Sequence, residues 1–300
     1  MVADRVRTAL CGVSGVHVTP YGADGAPDWT AMAEVVRTIA EAGVHNIVSA
    51  GNTGEFYPMT PAEIGRSHAV AAEAAAGRAL VSAGVGRSLR EAIGMGRAAA
   101  AAGCDAAMIH HPLDPFAAPT AQADYIVAIA EALTIPVIAY IRSDAIGVAD
   151  LVRVATHPNV AGVKFASTNL MLLAECVRAS HGTSAVWICG LAEGWAAPFY
   201  ALGARGFTSG LVNVAPARSL AIWRALEAGD YAGARAGVDA IAGFEAMRTK
   251  YGNGANVTVV KEAMGLLGRK VGPVRLPGLP ELSDSERAEL KRIVAGWGAA

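Results

Sequence analysis

Charge is scarce in this chain. Only 17% of its 300 residues are Asp, Glu, Lys or Arg, and they nearly cancel to a net charge of -1. There is no basic stripe for nucleic acid and no Lys/Arg-rich run for an anionic membrane, so neither is expected as a partner. Cysteine is scarce too. Cys11, Cys104, Cys176 and Cys189 fall at spacings that match neither a CxxC motif nor a zinc pattern. They read as four reduced thiols, mostly in the core. The first ten residues, MVADRVRTAL, lack an apolar h-region and a small-residue cleavage site. The Ala-rich stretches are broken by charge and glycine before they reach the length of a membrane span. These absences together lead to the expectation of a cytoplasmic protein. No GxGxxG follows the first apolar run, which removes the usual sequence signal of a dinucleotide-binding fold.

What the chain does have is apolar residues, 53% of the total, ample for a large core. They are arranged rhythmically. Short apolar runs at 12–18, 46–50, 80–85, 106–110, 137–141, 160–165, 185–189 and 206–209 read as strands buried on both faces of a parallel sheet. Between them lie helical patterns at 30–42, 61–76, 89–102, 120–133, 148–155, 169–180, 194–202 and 217–228. Thr60 before Pro61 and Glu63 is a helix start, and Gly43, Gly103 and Gly203 stand where helices end. Eight strand–helix units predict an α/β fold, a (β/α)8 TIM barrel, more readily than an open doubly wound sheet. The rhythm stops after residue 228. Helices at 231–247, 256–267 and 283–294 follow without strands. The chain therefore divides into a barrel over 1–228 and a C-terminal helical region over 229–300 packed on it.

In such a barrel the chemistry sits at the C-terminal ends of the strands. The polar residues there are Thr19, the run Gly51-Asn52-Thr53-Gly54-Glu55, His110 and His111, Tyr140 and Arg142, Lys164, Gly190 and Glu193, and Thr208 and Ser209. Lys164 stands out. The other lysines, Lys250, Lys261, Lys270 and Lys291, all lie in the helical C-terminal part, whereas Lys164 is embedded in the apolar run VAGVKFA. A lysine there either snorkels to the rim, pairs with a carboxylate, or is an amine kept partly neutral by desolvation, able to attack a carbonyl and form an imine. Tyr140, ending the preceding strand, is placed to relay protons to and from such an imine, or simply packs the barrel mouth. The Gly51–Glu55 loop lets backbone N–H groups approach an anion, with Thr53 and Asn52 beside them, although an ordinary βα turn would read the same way. Glu55 is equally consistent with holding the loop. Arg142 faces either a substrate or the nearby Asp144. His110 and His111 sit where a substrate tail would reach, or pack the wall. No His/Asp/Glu cluster suggests a metal, and no cofactor is expected.

Three of these motifs in order, GNTGE at 51–55, Tyr140 and Gly162-Val163-Lys164, resemble the dihydrodipicolinate synthase / N-acetylneuraminate lyase superfamily. The resemblance runs from Gly15-Val16-His17-Val18-Thr19-Pro20 to Gly272-Pro273-Val274-Arg275. It implies a (β/α)8 barrel with C-terminal helices, a homo-oligomer (a tetramer or dimer), Lys164 as the Schiff-base lysine and Tyr140 as the proton relay. Thr53 would join Tyr140 in catalysis. Asn52, Gly54, Arg142, Gly190 and Ser209 would bind substrate. Departures point within the superfamily. The synthases carry a tyrosine in the segment after strand four, where this chain reads His110-His111-Pro112-Leu113-Asp114-Pro115-Phe116. Their substrate-gripping arginine lies some five residues after the relay tyrosine, whereas Arg142 follows Tyr140 by two. The Ser-Thr pair of the neuraminate lyases is also missing. Gly-Glu-Phe at 54–56 and Tyr-x-Arg at 140–142 look more like the 5-dehydro-4-deoxyglucarate dehydratases. The expected reaction is thus dehydration of a deoxy-oxo sugar acid through a lysine imine. The alternatives are a pyruvate-dependent aldolase, a 4-hydroxy-tetrahydrodipicolinate synthase-like enzyme, or an inactive ligand-binding barrel.

Overall fold

Each apolar run read as a strand forms one. In chain order the elements are α1 (Val2–Leu10), β1 (Val13–Val16), α2 (Trp29–Glu41), β2 (Asn46–Ser49), α3 (Pro61–Ala75), β3 (Leu80–Val85), α4 (Leu89–Ala101), β4 (Ala106–Ile109), α5 (Pro119–Ala132), β5 (Val137–Ile141), α6 (Val148–Thr156) and β6 (Val160–Phe165). There follow α7 (Leu170–Ala179), β7 (Val186–Cys189), α8 (Ala196–Ala201), β8 (Phe207–Ser209), α9 (Pro216–Glu227), α10 (Tyr231–Thr249), α11 (Asn256–Leu266) and α12 (Asp284–Ala295). The structure is a computed structural model that describes residues 2–298. The strands pair in parallel in chain order, and β1 closes on β8, giving the (β/α)8 barrel. Strands covered by helices outside and by side chains inside have no solvent face. That is why β2, β4, β5 and β6 are buried along their whole length and show no polar alternation.

Local chemistry sets the helix boundaries. Thr60 and Glu63 form a reciprocal capping box with Pro61 at the first turn of α3, and Ser88 with Glu91 does the same for α4. After α2 and α4 the chain turns through left-handed glycines, Gly43 and Gly103, both at φ 88°. The segment read as a helix from residue 194 departs from that reading. It opens as a 3-10 turn at Glu193–Trp195, and only Ala196–Ala201 is α-helical.

One element has no counterpart in the sequence reading. α1 lies across the N-terminal end of the barrel, and its Val6 and Leu10 join Val16, Val48, Met108, Ile138, Tyr140 and Ile188 in the inner core. A Cβ on Gly162 would stand 2.7 Å from Leu10 Cδ1, so glycine at that point of β6 leaves room for the plug. With the floor closed, the opposite end is the accessible one. There α10 packs on α9, and α11 packs on α10. Among the described residues no helix is long and apolar enough to cross a membrane.

Candidate active site

Tyr140 and Lys164 are Cα partners across β5 and β6. Strand side chains alternate, so Lys164 shares the inner face with Gly162 and lies nearer the open end. Its side chain is 4% exposed, and Nζ is 3.9 Å from the centroid of the Tyr140 ring. Among the described residues it forms no hydrogen bond or ion pair. Neither snorkelling nor carboxylate pairing therefore describes it. Burial lowers its pKa to about 7, and the positive charge of Arg142 pushes the same way. At pH 7 roughly half of such an amine is neutral, against on the order of one in a few thousand for an ordinary lysine. Burial also raises the Tyr140 phenol above its ordinary range, so it stays protonated.

The loop after β2 stands beside this pair. Asn52 Nδ2 donates to Tyr140 Oη at 3.2 Å. Thr53 lines the same cavity, and its amide and hydroxyl donate to no acceptor among the described residues. Gly54 does not line it. That glycine packs against the His17 carbonyl, where a Cβ would come within 3.0 Å, and its own carbonyl accepts from Thr19 Oγ1 at 2.7 Å. Gly54 was expected to bind substrate; the structure places it beside Thr53, with its carbonyl turned to Thr19. His110 is likewise drawn into the wall. Its Nε2 bonds the Ala50 carbonyl at 2.9 Å, and its ring stacks on Phe56 with centroids 4.1 Å apart. Burial lowers its pKa to about 3, so the ring is neutral. Neither His110 nor His111 borders the cavity.

The loop is also anchored from the far end of the chain. Glu55 sits at φ 60°, a left-handed conformation that a non-glycine residue adopts only when its surroundings impose it. Its carboxylate meets Lys261 Nζ of α11 at 2.5 Å, both side chains fully enclosed, and accepts from the Arg275 amide at 2.8 Å. Lys261 also donates to the Pro273 carbonyl. Burial pulls both partners of the pair toward their neutral forms, and their mutual attraction opposes it.

The cavity has a volume of about 370 Å³. Asn52, Thr53, Tyr140, Arg142, Lys164, Gly190 and Ser209 all border it, which brings together every expected site residue except Gly54. Arg142 is exposed and forms no ion pair, with Asp144 or any other described residue. Gly190 admits no side chain, because a Cβ would stand 2.7 Å from that of Ala166. Below Ser209, its hydroxyl is 3.0 Å from that of Ser219, which donates to the buried Glu193 carboxyl at 2.6 Å. Burial raises the Glu193 pKa. Glu193 itself does not border the cavity. Sequence reasoning missed one whole wall. Glu245, Arg248 and Thr249 of α10, Asn253 of the connecting turn, and Asn256 of α11 face the cavity. They come from outside the strand–helix rhythm, and no motif marks them. Among the described residues no three His, Cys, Asp or Glu side chains converge as a metal site requires.

A profile of the dihydrodipicolinate synthetase family matches residues 9–296. The chain is 32% identical over 297 residues to a probable 5-dehydro-4-deoxyglucarate dehydratase of Methylobacterium radiotolerans, covering 97% of each protein. It is 30% identical over 294 residues to a 4-hydroxy-tetrahydrodipicolinate synthase of Methanoculleus marisnigri, covering 96% of this chain and 99% of the relative. Among solved structures it resembles a dihydrodipicolinate synthase from Bacillus clausii, with a TM-score of 0.95 and 38% identity over 98% of this chain and all of the other.

Proposed function

The chain belongs to the dihydrodipicolinate synthetase family and is a lyase of it; from that premise we propose that it holds a 2-oxo acid as an imine on Lys164 and dehydrates a deoxy-oxo sugar acid of the 5-dehydro-4-deoxyglucarate class. The observation that carries the reading is Lys164 itself, a buried amine with no carboxylate partner among the described residues and a phenol against it. The substrate carboxylate docks on the Thr53 amide and hydroxyl beside Asn52. The neutral amine attacks the C2 carbonyl. Tyr140 passes a proton to the carbinolamine oxygen, which leaves as water. The protonated imine is an electron sink, so C3 gives up a proton to the Tyr140 phenolate and an enamine forms. The enamine expels hydroxide from C4, which takes that proton back from Tyr140 and departs as a second water. Hydrolysis of the remaining imine frees Lys164. We place the enzyme in the cytoplasm as a homodimer or homotetramer, with the small 2-oxo acid as its partner.

A second reading, an aldolase or synthase that makes or breaks a bond to pyruvate, has support in the names of the Methanoculleus and Bacillus relatives. The lack of tyrosine across 110–116 and the position of Arg142 favour dehydration. The test is to incubate the enzyme with 5-dehydro-4-deoxyglucarate and follow products by NMR together with carbon dioxide release. Dehydrated product is expected. Release of pyruvate with an aldehyde would overturn the dehydratase reading. Absence of any borohydride-trapped adduct on Lys164 with pyruvate or the sugar acid would overturn the imine, and favour an inactive binding barrel.

A further inference from the structure

We propose that the wall built by α10 and α11, centred on Arg248, is the subsite for the hydroxylated tail of the 2-oxo acid, while a second carboxylate goes to Arg142. The proposal rests on the imine reading above, which fixes the oxo-acid end at Lys164.

Arg248 is a built feature. It is 4% exposed, and an arginine that deep is retained only where its charge is answered. Nη1 donates to Glu245 at 2.7 Å and Nη2 to Asn256 at 3.0 Å, while Nε is buried with no partner among the described residues. The end of β8 is shaped around it. A Cβ on Gly210 would lie 2.4 Å from Nη2, so the glycine after Ser209 lets the guanidinium reach the cavity edge. Helix formation in α10 does not call for an arginine at this point; Asn256 answers its guanidinium, and Asn253 turns the chain between α10 and α11 at φ 73° with its amide at the cavity.

The chemistry of the wall selects hydroxyls over a carboxylate. Glu245 already balances the Arg248 charge, so an incoming carboxylate meets a neutral pair with an anion inside it. Guanidinium donors, the Glu245 and Asn256 oxygens, and the Asn253 amide instead offer alternating donors and acceptors, which suits vicinal hydroxyls that both donate and accept. Thr249 gives its proton to the Ala246 carbonyl at 2.9 Å, leaving its oxygen as an acceptor. Arg142 is the contrasting group. It is a cation at the cavity with no ion pair among the described residues, the natural partner of an added carboxylate.

The test compares two probes on one protein, pyruvate and 2-oxo-3-deoxygluconate. Each is trapped on Lys164 with borohydride over a range of concentrations, and the adduct is read by mass. The measured quantity is the ratio of their half-saturating concentrations, which cancels any general loss of folded enzyme. In Arg248→Met and in Asn256→Ala that ratio is expected to move at least tenfold against the sugar acid. Thr249→Val and Asn253→Gly, both at exposed positions and the second keeping the left-handed turn at φ 73°, are expected to shift it severalfold in the same direction. A ratio equal to the wild-type value in all four variants would overturn the subsite. So would a shift confined to Arg142→Ala with this neutral-tailed probe. Failure of the wild-type enzyme to trap pyruvate at all is a different result, and overturns the imine reading underneath.

Discussion

The Lys164 ammonium nitrogen stands 3.9 Å from the centre of the Tyr140 ring, on adjacent strands in register, and among the described residues no carboxylate answers it. A lysine in this position is a burden on the fold. Its pKa of about 7 lies below the ordinary 10.5, so at neutral pH the unfolded chain binds a proton that the folded protein holds only half the time. The penalty is fully present below about pH 7 and disappears above the ordinary lysine value. Lys164→Met, which keeps the volume, is expected to form no borohydride adduct with pyruvate yet to be more stable at pH 7, by up to a few kcal/mol. Urea unfolding at pH 7 and pH 10.5 checks this. The two proteins should converge at the higher pH, and equal stability at pH 7 would contradict the burial argument.

The same amine sets the pH dependence of imine formation. Trapping of pyruvate at limiting concentration is expected to rise with pH up to about 7 and then level off, as Lys164 loses its proton. Arg142 contributes to the lowered value, so Arg142→Ala should move the midpoint to higher pH. A midpoint that stays in place, or moves down, would show that the two charges do not communicate.

Tyr140→Phe leaves the ring against Lys164 and removes only the hydroxyl that accepts from Asn52. If the phenol carries protons for the carbinolamine, imine formation should slow by about 10²- to 10⁴-fold. Pyruvate should still bind, because the Thr53 side of the site is untouched. Single-turnover trapping separates the two. A variant that traps as fast as wild type would reduce Tyr140 to packing at the barrel mouth.

The barrel could be read from the chain because its strands are buried on both sides and its helices are punctuated by boxes such as Thr60–Glu63. The strand-end residues that border the cavity were legible for the same reason, since topology alone assigns them to the mouth. What escaped has a physical explanation in each instance. α1 offers only Val6 and Leu10 to the barrel floor, a pattern too sparse to stand out beside the longer helices. His110 sits at a strand end as a catalytic histidine would, yet its ring bonds the Ala50 carbonyl and stacks on Phe56. Arg248 and Asn256 face the cavity only because α10 and α11 fold back over the mouth, a tertiary contact that no local periodicity encodes.

The Glu55–Lys261 pair is the clearest instance of such a contact, and it yields a test of how the loop is held. The two charges are enclosed together, and neither has solvent to fall back on. Removing one partner of a buried pair typically costs about 3–5 kcal/mol, whereas replacing both by neutral groups of similar shape costs much less. Lys261→Met is therefore expected to destabilise strongly, and Glu55→Gln with Lys261→Met together to recover most of the loss. Glu55 has a second task, since it also accepts the Arg275 amide while sitting at φ 60° beside Asn52 and Thr53. The glutamine retains an acceptor for that amide but lacks the charge that draws α11 onto the loop. The double variant should then fold well and still need more pyruvate to half-saturate Lys164. A double-mutant cycle by urea unfolding, run alongside the trapping assay, reads both effects. Additive losses would mean that the two side chains do not act as a pair. Recovered stability with unaltered pyruvate affinity would mean that the pair supports the fold without shaping the loop.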